Sequence, residues 1–304
     1  MRQGSKNVVA SVLARLRNQA VAQGVPFNQV LQFYAIERFL YRLSKSKHVD
    51  GVLLKGALLL KTIGIPRARP TMDIDLLREG KADQSTLVAL IQDCAGIEDV
   101  SDGIMFDPES IIAEEITQDA EYRGTRVRIG AQMDNVRLSV QIDFGVGDAV
   151  VPGPRLIEYP TLLDQAGISL RAYPVEAAVA EKFQAMVDLD LANSRMKDFY
   201  DIWTCSRYLE FDGATLAKSI AATFERRATP LPTQPPTAFT AVYFAAEAHQ
   251  RQWDAFVRRI RDGELAGRFA DVVAAIADFV MAPTLAVARG AKFRRRWQPG
   301  GPWN

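Results

Sequence analysis

The chain has 304 residues, of which 48% are hydrophobic and 24% are charged; this balance is typical of a folded globular protein and excludes a disordered or collagen-like chain. Lys and Arg number 37 against 36 for Asp and Glu, so the net charge is only +1 and any contact with nucleic acid would need a local basic patch. The two cysteines are too few for a disulfide scaffold, and the two histidines disfavour a His-rich zinc site and a Ser-His-Asp triad.

Two amphipathic helices are predicted in the first 50 residues. Apolar residues recur at helical spacing over 5–20 and again over 26–47, where we expect Arg38 and Arg42 to lie off the apolar face. The first segment mixes charged and apolar residues and lacks the apolar core of a signal peptide. We also find no stretch of about 18 apolar residues, the length that a transmembrane helix requires. We therefore expect a cytoplasmic protein with no membrane partner.

The pattern changes to short strands and turns after residue 50. The predicted elements are a strand over 51–56, a short helix over 57–64, a strand over 72–77, a helix over 84–93 and a hairpin within 102–144. The hairpin is expected to turn at Asp134-Asn135, because that pair separates two runs of alternating apolar residues.

The second half of the sequence is predicted to be helical. A run of Pro and Gly at 152–154 suggests a boundary, so we expect one domain over 1–155 and a second over 156–304. The predicted helices of the second domain cover 175–191, 197–209, 238–261 and 270–281, with a Pro-rich connector over 230–236. The fold class is therefore α+β, with a mixed or antiparallel sheet in the first domain and an α-helical second domain.

Two aspartates stand two residues apart in the strand predicted over 72–77. Alternate side chains share a face of a strand, so Asp73 and Asp75 point to one face and Ile74 to the other. Two carboxylates held side by side repel each other unless a cation lies between them, and Mg²⁺ is usually held by one or two carboxylates with substrate phosphates. This pattern predicts a site for Mg²⁺, which Mn²⁺ could replace. The alternative is an exposed strand with two solvated acids, since such tripeptides are common.

Two further features strengthen the prediction of a metal and phosphate site. Asp143 lies on the polar face of its strand, and it would join the two aspartates if that strand paired beside theirs; three such acids suit the two-metal sites of polymerases. Lys55-Gly56 ends a strand and precedes a short helix, where a phosphate could approach the backbone. The alternatives are a solvated sheet face for Asp143 and an ordinary tight turn at Gly56.

In this order, the features resemble the nucleotidyltransferase fold of the DNA-polymerase-β type. More narrowly, Leu54-Lys-Gly-Ala-Leu-Leu-Leu and Arg69-Pro-Thr-Met-Asp-Ile-Asp-Leu resemble the AbiEii/AbiGii toxin family of type IV toxin–antitoxin and abortive-infection systems. The resemblance continues in Val175-Glu-Ala-Ala-Val-Ala-Glu-Lys and Arg195-Met-Lys-Asp-Phe-Tyr-Asp-Ile-Trp, so that it covers roughly residues 50–210. One departure is Ala57, where the family usually has Gly or Ser.

The resemblance implies a Mg-dependent nucleotidyltransferase that transfers NMP from an NTP to an RNA acceptor, the 3′ end of tRNA, and so blocks translation. It also implies a cognate antitoxin as partner. The residues that it assigns are Asp73, Asp75, Lys182 and Asp198 for catalysis, Lys55, Gly56, Arg69 and Thr71 for nucleotide binding, and Asp73, Asp75 and Asp143 for the metal. Asp198 would act as a base or would orient the attacking hydroxyl. From spacing alone, a surface lysine is the preferred interpretation of Lys182, and Asp201 could form an i, i+4 pair with Lys197.

The carboxyl-terminal tail is basic and aromatic. Arg294, Arg295 and Arg296 lie between Phe293 and Trp297, a pattern that favours phosphate contacts with base stacking. The alternative is a tail whose aromatic side chains pack on the helical domain.

Two other functions are compatible with the motifs. One is a nucleotidyltransferase that modifies a protein or a small molecule; the label would then appear in that acceptor and not in RNA. The other is a catalytically degenerate member that only binds nucleotide, for which Ala57 is the best support.

Overall fold

The computed structural model describes residues 3–66, 68–99, 101–119, 122–265 and 267–304. The chain divides into two compact units whose segments alternate along the sequence. The first unit consists of Met1–Thr62, Thr71–Gly147 and Arg155–Ala172, and the second consists of Ile63–Pro70, Asp148–Pro154 and Tyr173–Asn304. The single domain boundary expected at residue 155 stays a prediction.

In the described part of the chain, the first unit contains a seven-stranded mixed sheet. Its strands are β1 (Val52–Leu54), β2 (Asp73–Arg78), β3 (Met105–Asp119), β4 (Tyr122–Met133), β5 (Val136–Val146), β6 (Arg155–Tyr159) and β7 (Ile168–Ala172). They lie in the order β3-β4-β5-β2-β1-β7-β6, so β2 is the central strand. β2 pairs in parallel with β5 and antiparallel with β1. The predicted hairpin is confirmed, because Met133 pairs with Val136 on either side of the turn.

Four helices belong to the first unit among the described residues: α1 (Gln3–Gln23), α2 (Phe27–Lys45), α3 (Gly56–Thr62) and α4 (Gln84–Ala95). α2 packs against the sheet through β5 and β7, and α1 and α4 pack against α2. The expectation that Arg38 and Arg42 lie off the buried face of α2 is wrong, since both are buried. Arg42 can be buried because it donates to Asp102 over 2.6 Å. Arg38 lies 3.3 Å from Glu37, but none of its three guanidinium nitrogens has a hydrogen-bond partner among the described residues.

The second unit is mainly helical. Its described helices are α5 (Val175–Leu189), α6 (Met196–Tyr208), α7 (Gly213–Arg226), α8 (Ala241–Phe244), α9 (Glu247–Ile260) and α10 (Phe269–Ala288). A two-stranded ladder joins β8 (Phe211–Asp212) to β9 (Arg296–Trp297) in the tail. Three features differ from the prediction: 155–172 forms β6 and β7, α7 occupies a segment with no predicted element, and the helix expected over 238–261 is split. The α+β class is confirmed.

Among the described residues, α10 is the one helix long and apolar enough to cross a membrane by length and composition. Its mean hydropathy reaches 1.7, a value that the search for an uninterrupted apolar stretch did not record. One such helix is weak evidence for a membrane span, because the core helix of a globular protein has the same properties. α10 packs against α6 and α7, and Val272, Ile276 and Phe279 are buried there.

Candidate active site

β2 carries the two aspartates on one face, as predicted. Asp73 and Asp75 are half-buried, whereas Ile74 between them is fully buried in the core of the first unit. Burial of Ile74 fixes the register of the strand and therefore the direction of both carboxylates. The Asp73 N–H lies 3.4 Å from the Thr71 hydroxyl oxygen, so Thr71 is close to the start of this strand.

Lys55 and Gly56 lie directly beside Asp75. The Lys55 N–H donates to the Asp75 carbonyl oxygen over 2.8 Å, and Gly56 follows with a φ of +66°. A Cβ atom at Gly56 would stand only 1.8 Å from Oδ2 of Asp75. Glycine is therefore required here twice, by the left-handed backbone and by the carboxylate that lies against its α-carbon. The structure brings together Lys55, Gly56 and Asp75, and their roles in nucleotide and metal binding stay predictions.

Asp143 is placed beside the pair but is held by an arginine. β5 pairs with β2 so that Asp143 is opposite Asp75, and this confirms the strand pairing on which its prediction depended. Arg126 of β4 donates to both oxygens of Asp143 over 2.8 Å each. Among the described residues, no group of three or more His, Cys, Asp or Glu side chains is arranged to hold a metal ion. A role for Asp143 as third ligand stays a prediction, and it would require release from Arg126.

The two carboxylates on β2 suit a hard divalent ion. Asp73 and Asp75 supply oxygen ligands from one strand face, and Mg²⁺ commonly takes one or two carboxylates and completes its shell with water and phosphate oxygens. The carboxylates therefore fit Mg²⁺ or Mn²⁺ bound together with a nucleotide.

Lys182 lies in the second unit, on α5, and is held between two carboxylates of α6. Its Nζ donates to Asp198 over 2.8 Å and lies 2.9 Å from Oδ2 of Asp201. The side chain of Lys182 is 15% exposed, and the two aspartates are almost completely buried. The alternative of a surface lysine is therefore wrong.

Two arginines extend this cluster. Arg69 donates from Nε and Nη2 to the two oxygens of Asp201 over 2.9 and 3.2 Å, and Nε of Arg195 lies 2.7 Å from Oδ2 of Asp198. Asp201 therefore forms its described ion pairs with Arg69 and Lys182. The alternative of an i, i+4 ion pair with Lys197 is not found among them. The sequence analysis did not assign Arg195 or Asp201 to the site, although the i, i+3 spacing of the two aspartates on α6 indicated that they share a face.

Lys182 and Asp198 are both held in their charged forms by their neighbours in this cluster. Burial opposes the charge of Lys182, but Asp198 and Asp201 outweigh burial and hold the pKa of Lys182 above its ordinary value. Burial likewise opposes the charge of Asp198, but Lys182 and Arg195 outweigh it and hold the pKa of Asp198 well below its usual range. Asp198 is therefore a very weak base, which favours an orienting role over proton abstraction.

The carboxyl-terminal tail shows features of both alternatives: packed aromatic side chains and exposed arginines. Trp297 and Trp303 are buried, and their indole N–H groups donate to the carbonyls of Ser206 and Phe279. Arg294, Arg295 and Arg296 are all exposed. The aromatic residues thus anchor the tail, and the arginines face solvent.

Comparison with known proteins identifies a family for this chain. Residues 38–276 match the family described as nucleotidyl transferase AbiEii toxin of the type IV toxin–antitoxin system. Two solved structures from Helicobacter pylori, JHP933 and a candidate nucleotidyltransferase, are each 14% identical with a TM-score of 0.49. The first alignment covers 86% of this chain and 97% of JHP933, and the second covers 85% and 98%. No curated protein matches the chain.

Proposed function

Because the chain belongs to the AbiEii nucleotidyl transferase toxin family, and is a nucleotidyltransferase with an NTP substrate and a cognate antitoxin, we propose that it transfers NMP to an RNA acceptor. The acceptor that we propose is the 3′ end of tRNA, so that the product cannot support translation in the cytoplasm. The observation that carries this proposal is the pair of carboxylates on β2 beside Gly56.

In the first unit, we assign the metal to the two aspartates of β2. Asp73 and Asp75 would hold Mg²⁺, which when bound would neutralise phosphate charge and align the α-phosphate for attack. The missing side chain of Gly56 leaves room for the Asp75 carboxylate, and we assign a phosphate to the neighbouring backbone at Lys55 and Gly56. Thr71, near the start of β2, is a further candidate for nucleotide binding.

In the second unit, Lys182 and Arg69 are the cations that we assign to phosphate binding, as the family resemblance implies. The buried carboxylates of Asp198 and Asp201 hold the pKa of Lys182 above its ordinary value, and Arg69 is paired with Asp201. A preorganised cation stabilises developing phosphate charge without further rearrangement. Asp198 would orient Lys182, since its lowered pKa makes it a poor acceptor for the proton of the attacking hydroxyl.

The reaction that we propose is an in-line substitution. The acceptor hydroxyl oxygen forms a bond to the α-phosphorus of the NTP, the bond from that phosphorus to the bridging oxygen breaks, and pyrophosphate leaves with the electron pair. The hydroxyl proton passes to water. The role of the protein is to position the two reactants and to balance charge.

One experiment separates this proposal from its alternatives. The protein is incubated with each labelled NTP in Mg²⁺ or Mn²⁺, together with total RNA, and the label is followed into RNA, protein and small molecules. Label at the 3′ end of tRNA supports the proposal. Label in protein or in a small molecule supports the second kind of transferase, and absence of pyrophosphate release with every NTP supports a degenerate, binding-only protein.

A further inference from the structure

Asp201 connects two cations that come from distant parts of the sequence. One oxygen of its carboxylate accepts from Nε of Arg69; the other accepts from Nη2 of Arg69 and lies 2.9 Å from Nζ of Lys182. The side chain of Asp201 is only 2% exposed. Among the described residues, it is the carboxylate that ion-pairs with both Arg69 and Lys182.

We propose that Asp201 is a positioning residue for the nucleotide: it fixes Arg69 and Lys182 so that both can bind the phosphates of an NTP. This inference rests on the proposed function, to which it adds a residue. The two-point contact fixes the plane of the Arg69 guanidinium, which would otherwise rotate with a long flexible side chain.

The geometry at Lys182 supports the same role. An ammonium group has three N–H donors, and Asp198 and Asp201 take two of them within the described chain. Two fixed acceptors therefore determine the direction of the third N–H, which a phosphate oxygen can accept. Asp198 pairs with Arg195 on its other side, so Asp201 alone joins Lys182 to Arg69 in the described ion pairs.

A buried carboxylate could also be purely structural, and the chain offers a matched control. Asp148 lies in the same unit, its side chain is 4% exposed, and its oxygen pairs with Nη2 of Arg227 over 3.2 Å. Arg227 and Arg69 are equally exposed, at 12% each. Asp201→Asn and Asp148→Asn therefore remove comparable buried ion pairs, and both are expected to lower the melting temperature.

The test compares NTP kinetics and equilibrium NTP binding of the full-length variants. Asp201→Asn is expected to raise the KM for NTP and the Kd about tenfold, with a smaller change in kcat, whereas Asp148→Asn leaves the KM and the Kd unchanged. Asp201→Glu, which keeps the charge, is expected to recover part of the affinity. Equal KM and Kd values for the two Asn variants would overturn the inference.

A double-mutant cycle tests whether Asp201 acts through Arg69. Asp201→Asn should cost a smaller factor in NTP affinity when Arg69→Ala is already present, because one of its two partners has gone. Full additivity would overturn the positioning of Arg69. If the wild-type protein neither binds NTP nor transfers NMP, the proposed function fails together with this inference; if it transfers NMP but the cycle is additive, the inference alone fails.

Discussion

At the scale of single residues, the candidate site depends on atoms that a small substitution would displace. Asp75 lies against the α-carbon of Gly56, and its backbone carbonyl accepts from Lys55. The neighbouring Ile74 is fully buried, so the strand cannot shift to accommodate a change. Loss of a carboxylate and displacement of a carboxylate should therefore have similar consequences for activity.

Loss of a carboxylate is tested by Asp75→Asn. Because the amide cannot supply the negative charge that a divalent ion requires, we expect NMP transfer to fall about a hundredfold or more while the protein stays folded. Transfer is measured with labelled NTP, and folding by circular dichroism. The control is Glu79→Gln, which changes an exposed acid just beyond the end of β2. Full activity of Asp75→Asn would exclude a metal site at this residue.

Displacement of the carboxylate is tested by Gly56→Ala. The added methyl group would meet the Asp75 carboxylate, so we expect a loss of transfer of about a hundredfold, as for a misplaced catalytic group. The matched control is Gly80→Ala, because Gly80 has a φ of +89° and open space around its α-carbon. Both variants carry backbone strain of about 1–2 kcal/mol, but only the first disturbs Asp75. Equal activities of the two variants would show that the contact is unimportant.

Spacing predicted the residues of the first unit better than those of the second. The alternation around Asp73 and Asp75 and the glycine before a short helix are local signals, and both occur as expected. The pairing of Asp143 with Arg126 was not predictable in the same way, because it depends on which residue of β4 stands opposite it. The pairing of Asp201 with Arg69 and Lys182 was not predicted, because these partners lie 132 residues before it and on another helix.

At the scale of elements, α2 is the clearest case in which tertiary structure overrides a helical pattern. Its buried residues include Arg38 and Arg42, which we expected off the apolar face, and also Glu37. Burial raises the pKa of Glu37 to about 7, although the Leu162 N–H and the charge of Arg38 act in the opposite direction. The helix therefore contains an acid that takes up a proton on folding near neutral pH.

This proton uptake predicts how stability depends on pH. The pKa of Glu37 is higher in the folded chain than in the unfolded chain, so its contribution is complete below about pH 4.5 and is lost as pH rises through about 7. The shift corresponds to about 3 kcal/mol. The unfolding free energy is therefore expected to fall between pH 5 and pH 8, and Glu37→Gln should remove the contribution of Glu37 to this fall. The unfolding free energy is measured by urea titration at each pH. The exposed Glu109→Gln is the control, and an unchanged slope in Glu37→Gln would contradict the prediction.

The elements that were not predicted share a physical reason. β6 and β7 lie in a segment with few consecutive apolar residues, and they are stabilised by pairing with each other and by the contact of β7 with β1. The short strands β8 and β9 are two residues each and exist because the tail returns to pair with Phe211 and Asp212. Such pairings depend on distant parts of the chain, which no local periodicity records.

At the scale of the whole molecule, a net charge of +1 gives no general attraction for RNA. A transferase that acts on RNA must therefore use a local surface, and the tail provides three exposed arginines in a row. Buried aromatic contacts hold this segment: the ring of Trp303 stacks on Phe279 with centroids 5.9 Å apart, and Trp297 meets Trp303 edge-on at 5.2 Å. Anchoring holds the backbone that carries the arginines, and so favours a defined contact with phosphates.

The last prediction separates anchoring from RNA binding. Replacing Arg294, Arg295 and Arg296 by Gln should weaken binding to tRNA about tenfold and reduce the slope of log affinity against log salt by about 2, because fewer counterions are released. The affinity for NTP and the melting temperature should not change, since these side chains are exposed. The control replaces Arg251, Arg258 and Arg259 of α9 by Gln, which removes the same charge from exposed positions elsewhere in the second unit. Trp303→Ala, in contrast, should lower the unfolding free energy by about 3 kcal/mol, because it empties a buried aromatic position. An equal salt slope in the two triple variants would show that the tail is not the RNA contact, and the nucleotidyltransferase activity would then need another surface for its acceptor.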